Sequence, residues 1–355
     1  MLKLRRAVIA ALLMSFSVMG FAAEAKLKTD VDEFIFEKAP FEQCHASTIV
    51  ELPNGDLLAA WFGGQHEGDK SVAIWLSRKA VGGVWSAPVV VASYPDVPCW
   101  NPVLFLDAKS VVWLFFKPGP DEESWVGAYR TSTDNGATWG DVTYMPAGLL
   151  GPIRNKPIIL SNGDILAGSS KEAGMRRGDK DPQPYWSWAA WTELSEDGGK
   201  SWSIHGPITF PGVNYAVIQP TLWEISPGHL KMLLRSTTLI GAICESTSDD
   251  GGKTWTPARA TTLPNPDSGI DAVQMKNGTI ALVFNDTKHG RSPLNLAFST
   301  DNGASWGFPY VLEDAPGEYS YPAIIQGKDG KLNITYTWKR LRIKHVVVDP
   351  AKIAQ

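Results

Sequence analysis

Four stretches of this 355-residue chain share one pattern, Ser-x-Asp-x-Gly-x-x-Trp, at residues 132–139, 195–202, 248–255 and 299–306. Recurrence of such a pattern at intervals of roughly 50–60 residues marks a chain built by repeating one supersecondary unit. The local physics is that of a tight turn. Asp accepts hydrogen bonds from nearby backbone N–H groups, Gly supplies a positive φ, and the closing Trp packs the turn onto its own unit. A copy one residue longer, at residues 77–85, precedes the four.

A second repeat carries the same period. Hairpin-type pairs occur at Asn54-Gly55, Asn162-Gly163, Pro227-Gly228, Asn277-Gly278 and Asp329-Gly330, and Asp107-Ala108-Lys109 fills the matching slot of the second unit. This makes six units. Each has room for about four short strands and little helical periodicity, which predicts an all-β, six-bladed propeller of four-stranded antiparallel blades.

A third register points at function. Before each hairpin lies an apolar run, and before that run a polar residue, usually followed by Pro. In order these are His45, Asn101, Lys156, Gln219, Asp271 and Tyr321. Pro is tolerated at the start of a strand and keeps its predecessor extended. The first strand of a propeller blade lines the central axis, so these six side chains are expected at one mouth.

Composition bounds the rest. A formal charge of −4 gives no electrostatic reason to expect nucleic acid or an anionic membrane as partner. Lys3, Arg5 and Arg6 precede an apolar run from Ala7 to Ala23, followed by small-residue cleavage options, so residues 1–25 read as a cleavable export signal. Residues 26–355 then form one propeller, periplasmic or secreted, with no membrane attachment after cleavage. Cys44, Cys99 and Cys244 do not make a disulfide framework. Cys44 and Cys99 occupy equivalent points of adjacent units, so a bridge between them and a role as small buried apolar residues both stay open. The scattered His residues show no metal-ligand spacing and there is no phosphate loop, so no cofactor is implied. The polar stretch 171–185 is an insertion, with Arg176, Arg177, Asp179, Lys180 and Asp181 suited to a lid or a rim loop.

The four turns are similar to the Asp boxes, or BNR repeats, of the sialidase (neuraminidase) superfamily, and the resemblance covers the chain from residue 26 onward. It implies a six-bladed propeller glycosidase with an Arg triad for the sugar carboxylate, a Tyr nucleophile paired with a Glu, and an Asp acid/base. Arg235 in Leu-Leu-Arg-Ser resembles the second triad Arg and Arg291 the third. Gly317-Glu318-Tyr319-Ser320 resembles the nucleophile strand, and Asp69 falls where the acid/base lies, with Glu67 as a rival. Two positions depart from the pattern: His45 stands in place of the first Arg, and Gln219 in place of the activating Glu. A substrate other than sialic acid, such as a uronate-bearing glycan, is therefore compatible with the site.

The expected catalytic set is Tyr319 as nucleophile with Tyr321 as competitor, since residues two apart share a side of a strand, and Asp69 and Asp271 as a carboxyl pair. Arg235, Arg291, His45, Lys156, Asn101 and Gln219 are the expected substrate contacts. A structural reading accompanies several of these: Asp271 as a turn cap, Lys156 as an interblade ion pair, Trp100, Trp186 and Trp188 as packing residues rather than sugar platforms. The leading function is a glycoside hydrolase of sialidase type releasing a terminal acidic sugar. A polysaccharide lyase and a binding-only propeller are the alternatives.

Overall fold

The computed structural model of the protein describes residues 27–174 and 187–353. The stretch expected to be an export signal, Trp186 and most of the polar insertion lie outside them. Six four-stranded antiparallel sheets follow one another along the chain as blades. Their innermost strands include Gln43–Glu51, Cys99–Leu106, Val217–Ser226, Asp271–Gln274 and Tyr319–Gln326. Blade 3 has only Ile158–Ile159 at this position. The ring closes because Val31–Phe34, from the start of the described chain, adds as the outer strand of blade 6 by pairing with Arg342–Val348.

Burial grades outward within a blade. Leu57–Gly64 and Val112–Pro118 are buried on nearly every residue because neighbouring blades cover both faces. Such strands read as continuous apolar runs rather than alternating ones. The outer strand Val89–Ala92 is half exposed. The hairpin pairs connect first and second strands as expected, with Gly55, Gly163, Gly228, Gly278 and Gly330 all at positive φ, and Ser110 taking that conformation in blade 2.

The repeated turns lie between third and fourth strands, on the rim. In each, the Ser hydroxyl accepts from the Gly N–H: Ser132 from Gly136 at 2.8 Å, Ser195 from Gly199 at 2.7 Å, Ser248 from Gly252 at 3.0 Å and Ser299 from Gly303 at 2.7 Å. The Asp carboxylate accepts the backbone N–H and hydroxyl four residues on, as Asp250 does from Thr254. The Trp also reaches the preceding blade, Trp255 donating to Thr192 at 3.0 Å. The longer copy at 77–85 takes the same place in blade 1, where Ser77 donates to the Ser86 carbonyl. Cys44, Cys99 and Cys244 are free and buried, so the bridge does not form and the packing reading holds.

The axis is filled by polar cross-braces rather than by apolar packing. The approach to blade 3 supplies three consecutive plugs. Arg154 donates to the carbonyls of Pro322 (2.6 Å) in blade 6 and Ser47 (3.4 Å) in blade 1. Asn155 donates to Gln219 and Pro220 in blade 4. Lys156 reaches Asp271 (2.8 Å) and the Ala272 carbonyl (2.9 Å) in blade 5. With these residues committed to the axis, the inner strand of blade 3 is left with two paired residues.

Hydrogen bonds from Ser201 and Ser195 hold Asp197 at about 2, and those from Thr254 and Ser248 outweigh desolvation to hold Asp250 at about 2. A carboxyl depressed on folding contributes stability above its unfolded value, and that contribution is lost as pH falls through the folded value. Melting temperature should therefore fall between roughly pH 4 and pH 2, and less steeply in Asp197→Asn, as followed by calorimetry. Identical pH profiles for the two proteins would contradict the role of this turn.

Candidate active site

A backbone irregularity builds the mouth. The pairing of first and second strands slips between His45 and Thr48, Trp100 and Val103, Ile218 and Thr221, and Ser320 and Ala323. Within these bulges Ala46, Asn101, Gln219 and Tyr321 take positive φ of 57°, 37°, 54° and 50°. Non-glycine residues in this region cost on the order of 1–3 kcal/mol each and collect at functional sites, and bulges re-aim side chains. The register thus differs by one residue in blade 1, where Ala46, not His45, is the equivalent of Tyr321.

The bulge separates the two tyrosines. Tyr319, 1% exposed, packs in the core between blades 5 and 6 with Leu294, Ile324 and Ile334, and burial raises its hydroxyl above the usual range. Simple alternation would have sent both to one side, but the extra residue breaks the parity. Tyr321 is the one held at the mouth. Its hydroxyl oxygen accepts from Arg235 Nη1 at 2.5 Å and from Gln219 Nε2 at 3.3 Å. Arg235 also donates to Gln219 Oε1 at 3.2 Å, which sets the orientation of that amide. The guanidinium carbons of Arg154, Arg291 and Arg235 lie 5.0, 5.6 and 5.7 Å from the centre of the Tyr321 ring. Gly269 lets the backbone leading into blade 5 pass beside that ring, since a Cβ there would meet it at 3.2 Å.

Each arginine is anchored. Arg235, near the end of His229–Ser236, pairs with Asp267 at 2.7 Å. Burial opposes its charge, but the Asp267 carboxylate outweighs that and keeps the guanidinium firmly cationic. Arg291 pairs with Glu318 at 2.9 Å, and Arg340 pairs with Glu318 at 2.8 Å and Glu67 at 2.5 Å. Although burial favours the neutral acid, Arg340 and Arg291 keep the Glu318 carboxyl below its ordinary value. Arg154 is fully enclosed, and desolvation brings it down to about 10.

Several expected site residues take other work. Asp271 is 1% exposed, and its oxygens are occupied by Lys156, Thr221 Oγ1 (3.0 Å) and the backbone N–H of Ile324 (2.9 Å). It ties blades 3, 4, 5 and 6 together and is not half of a catalytic carboxyl pair. Lys156, its partner, is an ion pair across the axis. His45 is 1% exposed, bonds Thr337 at 2.8 Å and packs tilted against Tyr321 with ring centres 4.1 Å apart. Burial and the surrounding arginines push its imidazole far below the usual value, so it is a neutral packing group and not a stand-in for the missing Arg. Asn101 lies buried at its bulge, its carbonyl facing Lys117. Asp69 lies in the turn after Leu57–Gly64, two residues from the Glu67 that pairs with Arg340, and accepts from the Ser71 N–H and hydroxyl, which hold it below its ordinary value. Trp100 packs on Trp125 and donates to the Gly119 carbonyl, whereas Trp188 lies under Arg235, 5.3 Å from its guanidinium carbon.

Arg340, Arg154, Asp267 and Glu172 were not expected from the sequence. Arg340 sits in the turn joining the second and third strands of blade 6, which opens at the same end as the inner-strand bulges. Glu67 and Arg291 occupy the corresponding connections of blades 1 and 5. Reading those turns alongside the inner strands would have exposed the set.

Fold and mouth together define a propeller whose axis opens on a tyrosine ringed by arginines. The chain belongs to the BNR repeat-like family, whose domain matches residues 55–334. It is 25% identical over 248 residues to an anhydrosialidase of the leech Macrobdella decora, covering 62% of this chain and 31% of that protein, so it spans under a third of this curated relative. Among solved structures it is similar to a protein of unknown function from Dyadobacter fermentans (TM-score 0.74, 16% identity, 90% of this chain and 98% of that one). It is equally similar in fold to a Hadza microbial sialidase (TM-score 0.74, 18% identity, 91% and 69%).

Removing the Asp271 charge should leave the Lys156 ammonium without its partner on the axis. Asp271→Asn is expected to lose about 3–5 kcal/mol of unfolding free energy, measured by urea denaturation. Asp69→Asn, in a turn, should leave the urea midpoint close to that of the parent. A loss of similar size in both would contradict the bracing role.

Proposed function

We propose that this protein is an exported glycoside hydrolase of sialidase type that releases a terminal acidic sugar from glycans, with Tyr321 as nucleophile. The observation that carries this reading is the Tyr321 hydroxyl held by Arg235 and Gln219 inside a ring of four arginines. A phenol is a weak nucleophile at its free pKa and gains from neighbouring cations. Four guanidiniums, Arg154, Arg235, Arg291 and Arg340, face three paired carboxylates, Asp267, Glu318 and Glu67. The one positive charge in excess suits a substrate carrying a carboxylate. Arg291 and Arg340 share a single oxygen of Glu318 and are the best placed to take a carboxylate, in the fork geometry that guanidinium favours.

The lyase alternative needs a base near the mouth. His45 is neutral, as a base must be, but it is enclosed and already bonded to Thr337, which argues against that role. Gln219 in place of a carboxylate keeps the binding-only alternative in view.

The test is a screen of the purified protein against sialosides and uronate-bearing oligosaccharides. A hydrolase releases a saturated sugar, a lyase an unsaturated uronate absorbing in the near ultraviolet, and a binding module neither while retaining glycan. Tyr321→Phe should lower turnover by at least on the order of 10³ with glycan binding retained, while Tyr319→Phe should stay near the parent. The reverse pattern would return the nucleophile to Tyr319.

A further inference from the structure

A tyrosine nucleophile leaves one requirement open: the departing oxygen must receive a proton. Among the carboxyls at the mouth, Asp267, Glu318 and Glu67 are ion-paired with arginines. Asp69 is a carboxylate stabilised in its charged form by Ser71. A group of this kind accepts protons and is poorly suited to give one.

Glu172 differs. It lies near the end of Ile165–Ala173 in blade 3, as Arg235 lies near the end of His229–Ser236 in blade 4, so both stand at the mouth end of second strands. One oxygen accepts from Trp188 Nε1 at 2.9 Å, and no cation pairs with it among the described residues. Trp188 carries Arg235 on its ring, and Arg235 holds the Tyr321 hydroxyl, so the carboxyl and the nucleophile share one wall. Tyr215 closes that wall, its ring 4.6 Å from Trp188.

We propose that Glu172 is a further catalytic residue, the acid that protonates the leaving oxygen, an inference that rests on the glycosidase reading above. As Tyr321 Oη bonds to the anomeric carbon, its own proton passes to water. The glycosidic C–O bond breaks, and the Glu172 proton goes to the departing oxygen. In the second half, water attacks the anomeric carbon and gives a proton to the Glu172 carboxylate. The bond to Tyr321 breaks, and Tyr321 regains its proton from water. Among the described residues, the titratable groups facing Glu172 are Arg235, Glu122, Asp267 and Tyr215. Desolvation, reinforced by Glu122 and Asp267 and opposed by Arg235, pushes its carboxyl up to about 8. It is therefore protonated at neutral pH, as an acid must be.

The test compares the full chain with Glu172→Gln and Asp69→Asn on two acidic glycosides, one with a nitrophenyl leaving group and one with an alkyl alcohol. A leaving group that departs without protonation spares the acid. Glu172→Gln should therefore lose on the order of 10²–10⁴ in kcat on the alkyl glycoside and much less on the aryl one. It should also lose the alkaline limb of the pH profile near pH 8. Asp69→Asn should show no such selectivity. Infrared spectra give a readout independent of turnover: a carboxylic C=O band at pH 6 that disappears in Glu172→Gln supports the assignment. Equal losses on both glycosides, selectivity in Asp69→Asn alone, or an ionised Glu172 at pH 6 would each overturn it. A parent protein that turns over neither glycoside would instead overturn the glycosidase reading itself.

Discussion

The propeller depends on a polar brace across its axis. Arg154, Asn155 and Lys156 leave blade 3 and engage blades 6 and 1, blade 4, and blade 5 in turn. Asp271 receives Lys156 and also binds the blade 4 and blade 6 inner strands. Inner strands that begin with bulges and prolines leave carbonyls facing the axis, and buried carbonyls need donors. The brace supplies them. It also explains why blade 3 is the irregular one: its inner strand is shortened to provide the side chains that hold the others.

The site is a consequence of the same arrangement. Arg154 contributes both to the brace and to the cationic ring around Tyr321, its guanidinium carbon 5.0 Å from the ring centre. The brace is thus continuous with the wall of the mouth, and the position of Tyr321 is set by contacts that also keep the blades in place. The two departures from the sialidase pattern have different consequences. His45 is neutral and buried, and a further guanidinium, Arg340, enters from a turn of blade 6 to pair with Glu318 and Glu67. Gln219 removes a negative charge beside Tyr321 and puts a hydrogen-bond donor on its hydroxyl in place of an acceptor.

Much of the fold was legible because its signals are local. The box turns are closed by their own Ser, Asp and Gly, and the hairpin pairs need φ > 0 at one residue. The inner-strand register brought Asn101, Gln219 and Tyr321 to the correct level. What it could not carry was the bulge, which arises from pairing with the second strand and has no separate residue signature in blade 1. That single-residue shift moved His45 off the equivalent position and turned Tyr319 into the core. Arg235 and Arg291 were singled out through the family resemblance. Arg340, Arg154, Asp267 and Glu172 were not, since their roles rest on neighbours far away in the chain.

The sequence by itself determined the six-fold repeat, the β-hairpins and the rim turns, because each is specified by hydrogen bonds among residues close together along the chain. Only the tertiary structure decided which side of the inner strands each polar residue faces and which charges meet. Those outcomes depend on bulge parity, on burial and on ion pairs between different blades, such as Lys156 with Asp271 and Arg340 with Glu67. The same residue types at the same spacings could have produced a brace or a binding site, and it is their partners across the axis that separate Asp271 from Tyr321.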